Sequence, residues 1–146
     1  MTSERWRPIF DGRYDVSDRG RVRSWLRNGT GQERRMTPRL IKPRLNPQGY
    51  LHMALYNDKA MQLHRRVHRL VLETFVGPCP EGRQCAHRNG IKTDNRLENL
   101  RWATPRENKA DAKRHGHIAQ GERNGWAKLK LGDIALIRML ASAGWD

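Results

Sequence analysis

The stretch from Gln84 to Asp111, QCAHRNGIKTDNRLENLRWATPRENKAD, constrains the chain most, because its turn and capping signals come in one definite order. Gln84 to His87 reads as the end of a strand. Asn89-Gly90 readily takes the positive φ angles of a tight turn. Lys92 to Glu98 is polar and reads as loop, and Leu100 to Ala103 is a second short run of β-formers. Thr104 lies three residues before Glu107, a capping box, and Pro105 fills the first helical position, where no amide donor is needed. Gly116 closes the helix. The spacing predicts strand, loop, strand, helix: a ββα unit too small to bury a core unaided.

A helix over residues 65–76 is the element expected to pack on it. Val67, Leu70, Val71 and Phe75 recur at i, i+3, i+4 and i+8 and make one apolar face, and Gly77-Pro78 ends the run. His68, Arg69 and Glu73 are expected away from the centre of that face. His68 is then a surface histidine, with a metal or phosphate ligand as the alternative.

Upstream, residues 50–56 predict a strand, Asn57-Asp58-Lys59 a turn, and Met61 and Leu63 a return strand. Arg13 to Val16 and Arg21 to Trp25 predict two further strands around a Ser17-Asp18-Arg19-Gly20 turn. Residues 28–36 read as a Gly- and Arg-rich loop, and residues 40–43 as a short edge strand. Residues 1–44 hold twelve Lys or Arg against five Asp or Glu, a net +7. Arg21 and Arg23 share one strand face with Val22 inward. Together with Arg19 they are expected to touch phosphates, a solvated polar face being the plainer reading.

The predicted class is therefore α+β, with three segments. Residues 1–63 form a basic β-rich module and hairpin, and residues 64–116 a helix plus the ββα unit. Residues 117–146 form a linker and a helix over 133–143, with Ile134, Ile137, Leu140 and Ala141 inward and Gly144 as its C-cap.

A formal net charge of +14 points to a polyanionic partner, nucleic acid first. Mean hydropathy is −0.92 and no stretch is long and apolar enough to span a membrane. The first ten residues lack the apolar core of a signal peptide, so the expected compartment is the cytoplasm. Cys79 and Cys85 do not form a paired C-x-x-C motif. Neither structural zinc nor a disulfide is expected of them.

Within the ββα unit, His87 ends the first strand, Asn99 leads into the second, and Asn108 lies in the first helical turn. A neutral histidine can take a proton from water. An amide oxygen on Asn108 can ligate a hard cation such as Mg²⁺. A base beside a metal suits phosphodiester hydrolysis. A turn unit with an ordinary surface histidine satisfies the same spacing.

These residues resemble the HNH nuclease motif in the form found in phage and intron-encoded homing endonucleases. VHRLVLETFVG from Val67 to Gly77, the His87 segment, NRLENLRWAT and the Glu107-Asn108 pair fall in that family's order. Tyr14-Asp15-Val16-Ser17 with Gly20-Arg21-Val22 resembles the small nuclease-associated module that precedes the motif. The resemblance runs roughly from Trp6 to His115. It implies a metal-dependent DNA endonuclease acting on double-stranded DNA, in the host cytoplasm if phage-encoded. The cation would be Mg²⁺, Mn²⁺ or another divalent ion, and the products would carry 5′-phosphate and 3′-hydroxyl ends. It implies His87 as general base, Asn99 as the residue that ties the loop and orients the base, and Asn108 as metal ligand. Arg88, Lys92, Arg96 and Arg101 surround the site in sequence and are expected to clamp the DNA backbone. The tail, AKLKLGDIALIR, resembles the first helix of a helix-turn-helix module, here partial.

One departure matters. The family often has Asp before the base histidine as a metal ligand, and this chain has Ala86. Asp111, one turn beyond Asn108, is a candidate substitute, with a surface ion pair as its alternative role. A DNA-binding protein without catalysis is the competing function.

Overall fold

A computed structural model describes residues 3–27, 33–116, 134–135 and 138–139. The chain divides into two compact units, Met1–Asp111 and Ala112–Asp146.

The first unit opens with four antiparallel strands, β1 (Trp6–Ile9), β2 (Tyr14–Ser17), β3 (Val22–Leu26) and β4 (Arg34–Leu40), in that spatial order. A second sheet follows, with β5 (Arg44–Leu45), β6 (Leu51–Tyr56) and β7 (Gln62–Arg66). Helix α1 (Val67–Phe75) leads to the hairpin of β8 (Gln84–His87) and β9 (Leu100–Ala103), and α2 (Pro105–Arg114) completes the series. The fold is α+β, and the ββα order matches the spacing of its turn and capping signals.

One core spans both sides of residue 63. Tyr14, Val16, Val22 and Leu26 from the first sheet meet Met53 and Leu55 from β6 and Val67, Leu70, Val71 and Leu72 from α1, with Leu100 from β9. On β6 the alternation of side chains points Met53 and Leu55 inward. A hydrogen bond from the Tyr56 amide to the Tyr14 hydroxyl, 3.0 Å, ties the two sheets. The capping box forms at α2: the Thr104 amide donates to Glu107 Oε2 at 2.7 Å, and the Glu107 amide donates to Thr104 Oγ1 at 3.3 Å.

Two elements differ from their sequence expectation for a common reason. β1 was not predicted as a strand, and β4 begins at Arg34 within the stretch read as loop, while residues 41–43 are not strand. Both are edge strands, each paired on one side only, and each carries a proline, Pro8 and Pro38. β1 half-buries only its end residues, Trp6 and Ile9, and β4 has no buried residue, with Met36 97% exposed, so neither shows apolar alternation. Side chains hold β4 instead, since Arg34 donates to the Asp11 carbonyl at 2.7 Å and Arg35 to the Leu26 carbonyl at 3.1 Å.

Arg23 braces the first sheet. Its guanidinium bonds to the buried Asp15 at 2.8 Å and lies 4.2 Å from the Trp6 ring centroid, and Trp25 Nε1 donates to the same carboxylate at 2.8 Å. Arg21 pairs with Glu4, and Arg19 sits exposed in the turn. Most of the expected helix over 133–143, the linker before it and residues 28–32 lie outside the described residues. Ile134-Ala135 and Arg138-Met139 have helical backbone. No helix among the described residues is long and apolar enough to cross a membrane.

Leu55 is fully buried between the two sheets and α1. Leu55→Ala is expected to cost about 2–5 kcal/mol in urea unfolding, whereas Met36→Ala should change stability by less than about 0.5 kcal/mol. Equal effects would contradict this placement of the core.

Candidate active site

The site is built where the β8–β9 hairpin opens. His87 is the last residue of β8 and pairs with Leu100, the first of β9. The chain then leaves the sheet through residues 88–99 before returning. Gly90, at φ 74, donates its amide to the His87 carbonyl at 3.1 Å, which closes the turn.

Asparagine and aspartate side chains brace the rest of this loop. Asn99 is buried. Its Oδ1 accepts the Asn89 amide at 3.0 Å and its Nδ2 donates to the Asp94 carbonyl at 2.8 Å. Asn89 Nδ2 donates to Asp94 Oδ2 at 2.8 Å, and Arg96 grips the same carboxylate with Nε and Nη2 at 2.9 Å each. That guanidinium holds the Asp94 carboxyl down at about 2. The loop is thus a closed polygon of hydrogen bonds, with both ends of Asn99 used inside it.

The partner of the His87 ring is a different residue. His87 Nε2 donates to Asn95 Oδ1 at 3.1 Å, and both side chains are buried. An amide oxygen accepts only, so this bond fixes the Nε2–H tautomer and leaves the lone pair on Nδ1. Of the two roles expected of Asn99, tying the loop is the one it performs directly, whereas Asn95 holds the ring. Asn95 and Asn99 sit four residues apart in one polar run, and nothing in the sequence distinguished them.

His68 corrects a second expectation. It is not a surface histidine: it is 5% exposed, its ring is 5.1 Å from that of His87 in an edge-on arrangement, and it is 5.1 Å from Tyr50. Its Nδ1 is buried without a hydrogen-bond partner. The signal lay in Leu72, one turn on in the same stripe, which is fully buried and widens the inward face beyond Val67, Leu70 and Val71. Burial, then the neighbouring His87 and the cations of Arg66 and Arg69, push His68 down to about 3. Burial also lowers His87, opposed by the Asn95 hydrogen bond and by Asp94. Both imidazoles are neutral at pH 7.

His68 also lines a cleft of about 340 Å³ with Asn108, Tyr50, Arg66, Arg69 and Cys85 among its walls. His68 thus lies against the His87 ring and lines the same cleft as Asn108, whereas His87 itself is not among the cleft's lining residues. Asp111 does not line this cleft. It is buried, and Arg101 Nη2 donates to its Oδ2 at 2.7 Å. Asp111 thus takes part in an ion pair with a basic neighbour, the alternative role read from the sequence. Ala86 is buried as well, at 1% exposure.

Among the described residues no three His, Cys, Asp or Glu side chains converge to hold a metal. Asn108 and His68 line the cleft together with the neutral donors His64, Tyr50 and Gln84 and with the guanidinium groups of Arg65, Arg66, Arg69 and Arg83. A hard cation that keeps water and takes substrate oxygens needs only one or two protein donors, a number that the Asn108 amide oxygen and the His68 ring can supply; the cleft's arginines would require the substrate phosphate to arrive with the ion.

The expected phosphate-binding cations fall into two groups. Arg96 and Arg101 are held by internal carboxylates, Arg96 by Asp94 and Glu98, and Arg101 by Asp111 with Glu107 at 3.8 Å. Arg88 and Lys92 are exposed; Lys92 Nζ donates to the Gln48 carbonyl at 2.8 Å and lies 5.0 Å from the Tyr50 ring centroid.

This geometry coincides with a known family. The model of the HNH endonuclease family matches residues 65–110, from the end of β7 into α2, and so contains His68, His87, Asn95, Asn99 and Asn108. The chain carries an HNH endonuclease domain. A NUMOD4 motif covers residues 4–56, the first sheet together with β5 and β6. Phage proteins are among those similar to this chain. The DNA endonuclease I-HmuI of Bacillus phage SP01 is 28% identical over 127 residues, 86% of this chain and 67% of that protein. YosQ, from the SPbeta prophage of Bacillus subtilis and named for the HNH homing endonucleases, is 33% identical over 99 residues. That match takes in 64% of this chain and only 57% of YosQ. A solved structure of I-HmuI, described as showing DNA binding and cleavage, superposes with a TM-score of 0.62 at 25% identity. It covers 94% of this chain and 68% of that one.

The depressed His68 value has a stability consequence. The unfolded chain protonates this residue near its ordinary 6.5, the folded protein only near 3. Its contribution is complete above pH 6.5 and is lost progressively as pH falls toward 3. Urea unfolding between pH 7 and 4.5 should therefore show a shallower pH dependence for His68→Leu than for the parent. Identical slopes would mean His68 protonates freely in the folded state.

Proposed function

We propose that the chain is a metal-dependent DNA endonuclease in which His87 is the general base. The observation that carries the reading is the buried, neutral His87 ring, tethered at Nε2 by Asn95 with its Nδ1 lone pair left for a proton. A base held in one tautomer loses no time or energy to reorientation when water attacks. His87 takes a proton from the attacking water at Nδ1 as the new P–O bond forms; the bond from phosphorus to the 3′ oxygen breaks, and that oxygen takes a proton from solvent to leave as the 3′-hydroxyl. The imidazolium that results keeps its Nε2–H bond to Asn95 and is further favoured by the Asp94 carboxylate.

Asn108 and His68 would hold the divalent cation, Mg²⁺ or Mn²⁺. When bound, such an ion offsets the charge that builds on the phosphate oxygens. The relatives' names support DNA as substrate, and the net charge of +14 suits a duplex of phosphates. Arg88 and Lys92, exposed beside the base, would contact the strand; Arg96 and Arg101 would act mainly by stiffening the loop and α2. The products would carry 5′-phosphate and 3′-hydroxyl ends, formed in the host cytoplasm.

Position 86 favours one competing reading, a DNA-binding protein that no longer cuts, because a methyl group stands where the family often has a carboxylate. Supercoiled plasmid separates the two. Nicking with Mg²⁺ or Mn²⁺, abolished by EDTA and reduced on the order of 10²-fold or more in His87→Ala, is the expected outcome. Binding without nicking under all metals would establish the competing reading, and an undiminished His87→Ala would remove the base from the mechanism. Affinity for duplex should also fall steeply with added salt, as read by fluorescence anisotropy; a flat salt response would count against phosphate contacts as the source of binding.

A further inference from the structure

The first sheet touches the HNH domain at one place that matters for the base. The β2–β3 turn presents Gly20 at φ +77 directly against Asn95. A Cβ built on Gly20 would lie 2.8 Å from Asn95 Cβ and 2.8 Å from the Asn95 carbonyl oxygen. Neither is the end of a flexible chain; one is the root of the side chain and the other is backbone. Two residues before, the Asp18 carbonyl accepts the Leu97 amide at 2.8 Å, so the turn clasps the loop on both sides of Arg96. Asp18 is itself fixed, since its carboxylate accepts the Arg5 amide at 3.2 Å and Arg5 Nε at 2.8 Å. Asn95 is 4% exposed, and its Oδ1 is the acceptor for His87.

We infer that the NUMOD4 module positions the catalytic base: Gly20 sets the depth of Asn95, and Asn95 sets the ring of His87. The inference rests on the nuclease reading and assigns the module a task in addition to contact with DNA. Gly20 and Asn95 are positioning residues. Only glycine combines this positive φ with so close an approach. A methyl group at residue 20 forces the loop outward by the better part of an ångström, and a misplacement of that size at a catalytic group costs up to about 10²-fold in rate.

Gly12 supplies the control. It lies in the same module at φ +73, but a Cβ there would meet only the Arg34 guanidinium at 3.6 Å. Gly12→Ala therefore carries the backbone strain without the collision. In the full chain, Gly20→Ala should lower kcat for plasmid nicking by about ten- to a hundred-fold with little change in KM, while Gly12→Ala loses stability and keeps kcat. Asn95→Ala should reproduce the loss, and the double variant should lose no more than Asn95→Ala alone, because both act through one contact. The acid limb of the pH–rate profile should move to lower pH in Gly20→Ala and Asn95→Ala, since the imidazolium loses its acceptor. Asp18→Ala, a milder loosening of the same turn, should shift it the same way and carries the test if Gly20→Ala does not fold.

An unchanged kcat and pH profile in Gly20→Ala or in Asp18→Ala, or additive losses in the double variant, would overturn the inference. An NMR titration of His87 in the same variants keeps the two ideas apart. If the parent does not nick but its His87 titration shifts in Gly20→Ala and not in Gly12→Ala, the nuclease reading fails and the positioning stands. An unmoved titration ends the positioning whatever the activity.

Discussion

The hydrogen bond from His87 Nε2 to Asn95 Oδ1 is the contact on which the rest of the site depends. A histidine at the mouth of a hairpin would otherwise rotate, exchange tautomers and take up a proton from solvent. Here one nitrogen is committed to an amide oxygen and the other is left basic. The bond holds only if Asn95 stays where it is, and Asn95 belongs to a loop with no regular secondary structure at that point. The loop is kept in place by Asn99, Asn89 and Asp94 from within and by the β2–β3 turn from without. Order at the ring is therefore borrowed from the first sheet and the shared core.

Charge is divided in the same way. Several arginines that a count of basic residues would assign to DNA also brace the protein. Arg23 joins Asp15 and Trp6, Arg96 grips Asp94, and Arg101 meets Asp111. Arg96 lies in the open, where an ion pair adds little stability, but its two bonds to one carboxylate restrict the loop's geometry. Arg101 and Asp111 are better shielded and join β9 to α2. The strongly positive surface survives because basic residues outnumber acidic ones by fourteen.

The ββα unit was legible because its signals are local. Asn89-Gly90, the Thr104–Glu107 capping box and Gly116 each specify backbone geometry within four residues. The apolar face of α1 was legible from its period. β1 and β4 were not, because edge strands here are held by arginine-to-carbonyl bonds that leave no apolar pattern. His68 was misplaced because the helix face was drawn one stripe too narrow, with Leu72 left out. Asn95 and Gly20 were invisible for a deeper reason. Their meaning lies in a contact between residues seventy-five positions apart in the chain, and neither has a local feature that announces it. Of the site residues read from the family motif, His87 packs against the His68 ring and Asn108 lines a cleft with His68, while Asp111 pairs with Arg101.

The central claim is that His87 waits as a neutral imidazole with its proton on Nε2 and its lone pair on Nδ1. Nitrogen-15 chemical shifts of the His87 ring in the DNA-free protein at pH 7 measure this directly. The account predicts a protonated, pyrrole-like Nε2 and a bare, pyridine-like Nδ1, with a coupling to the proton only at Nε2. A ring protonated at Nδ1, or one averaging between both tautomers, would contradict it.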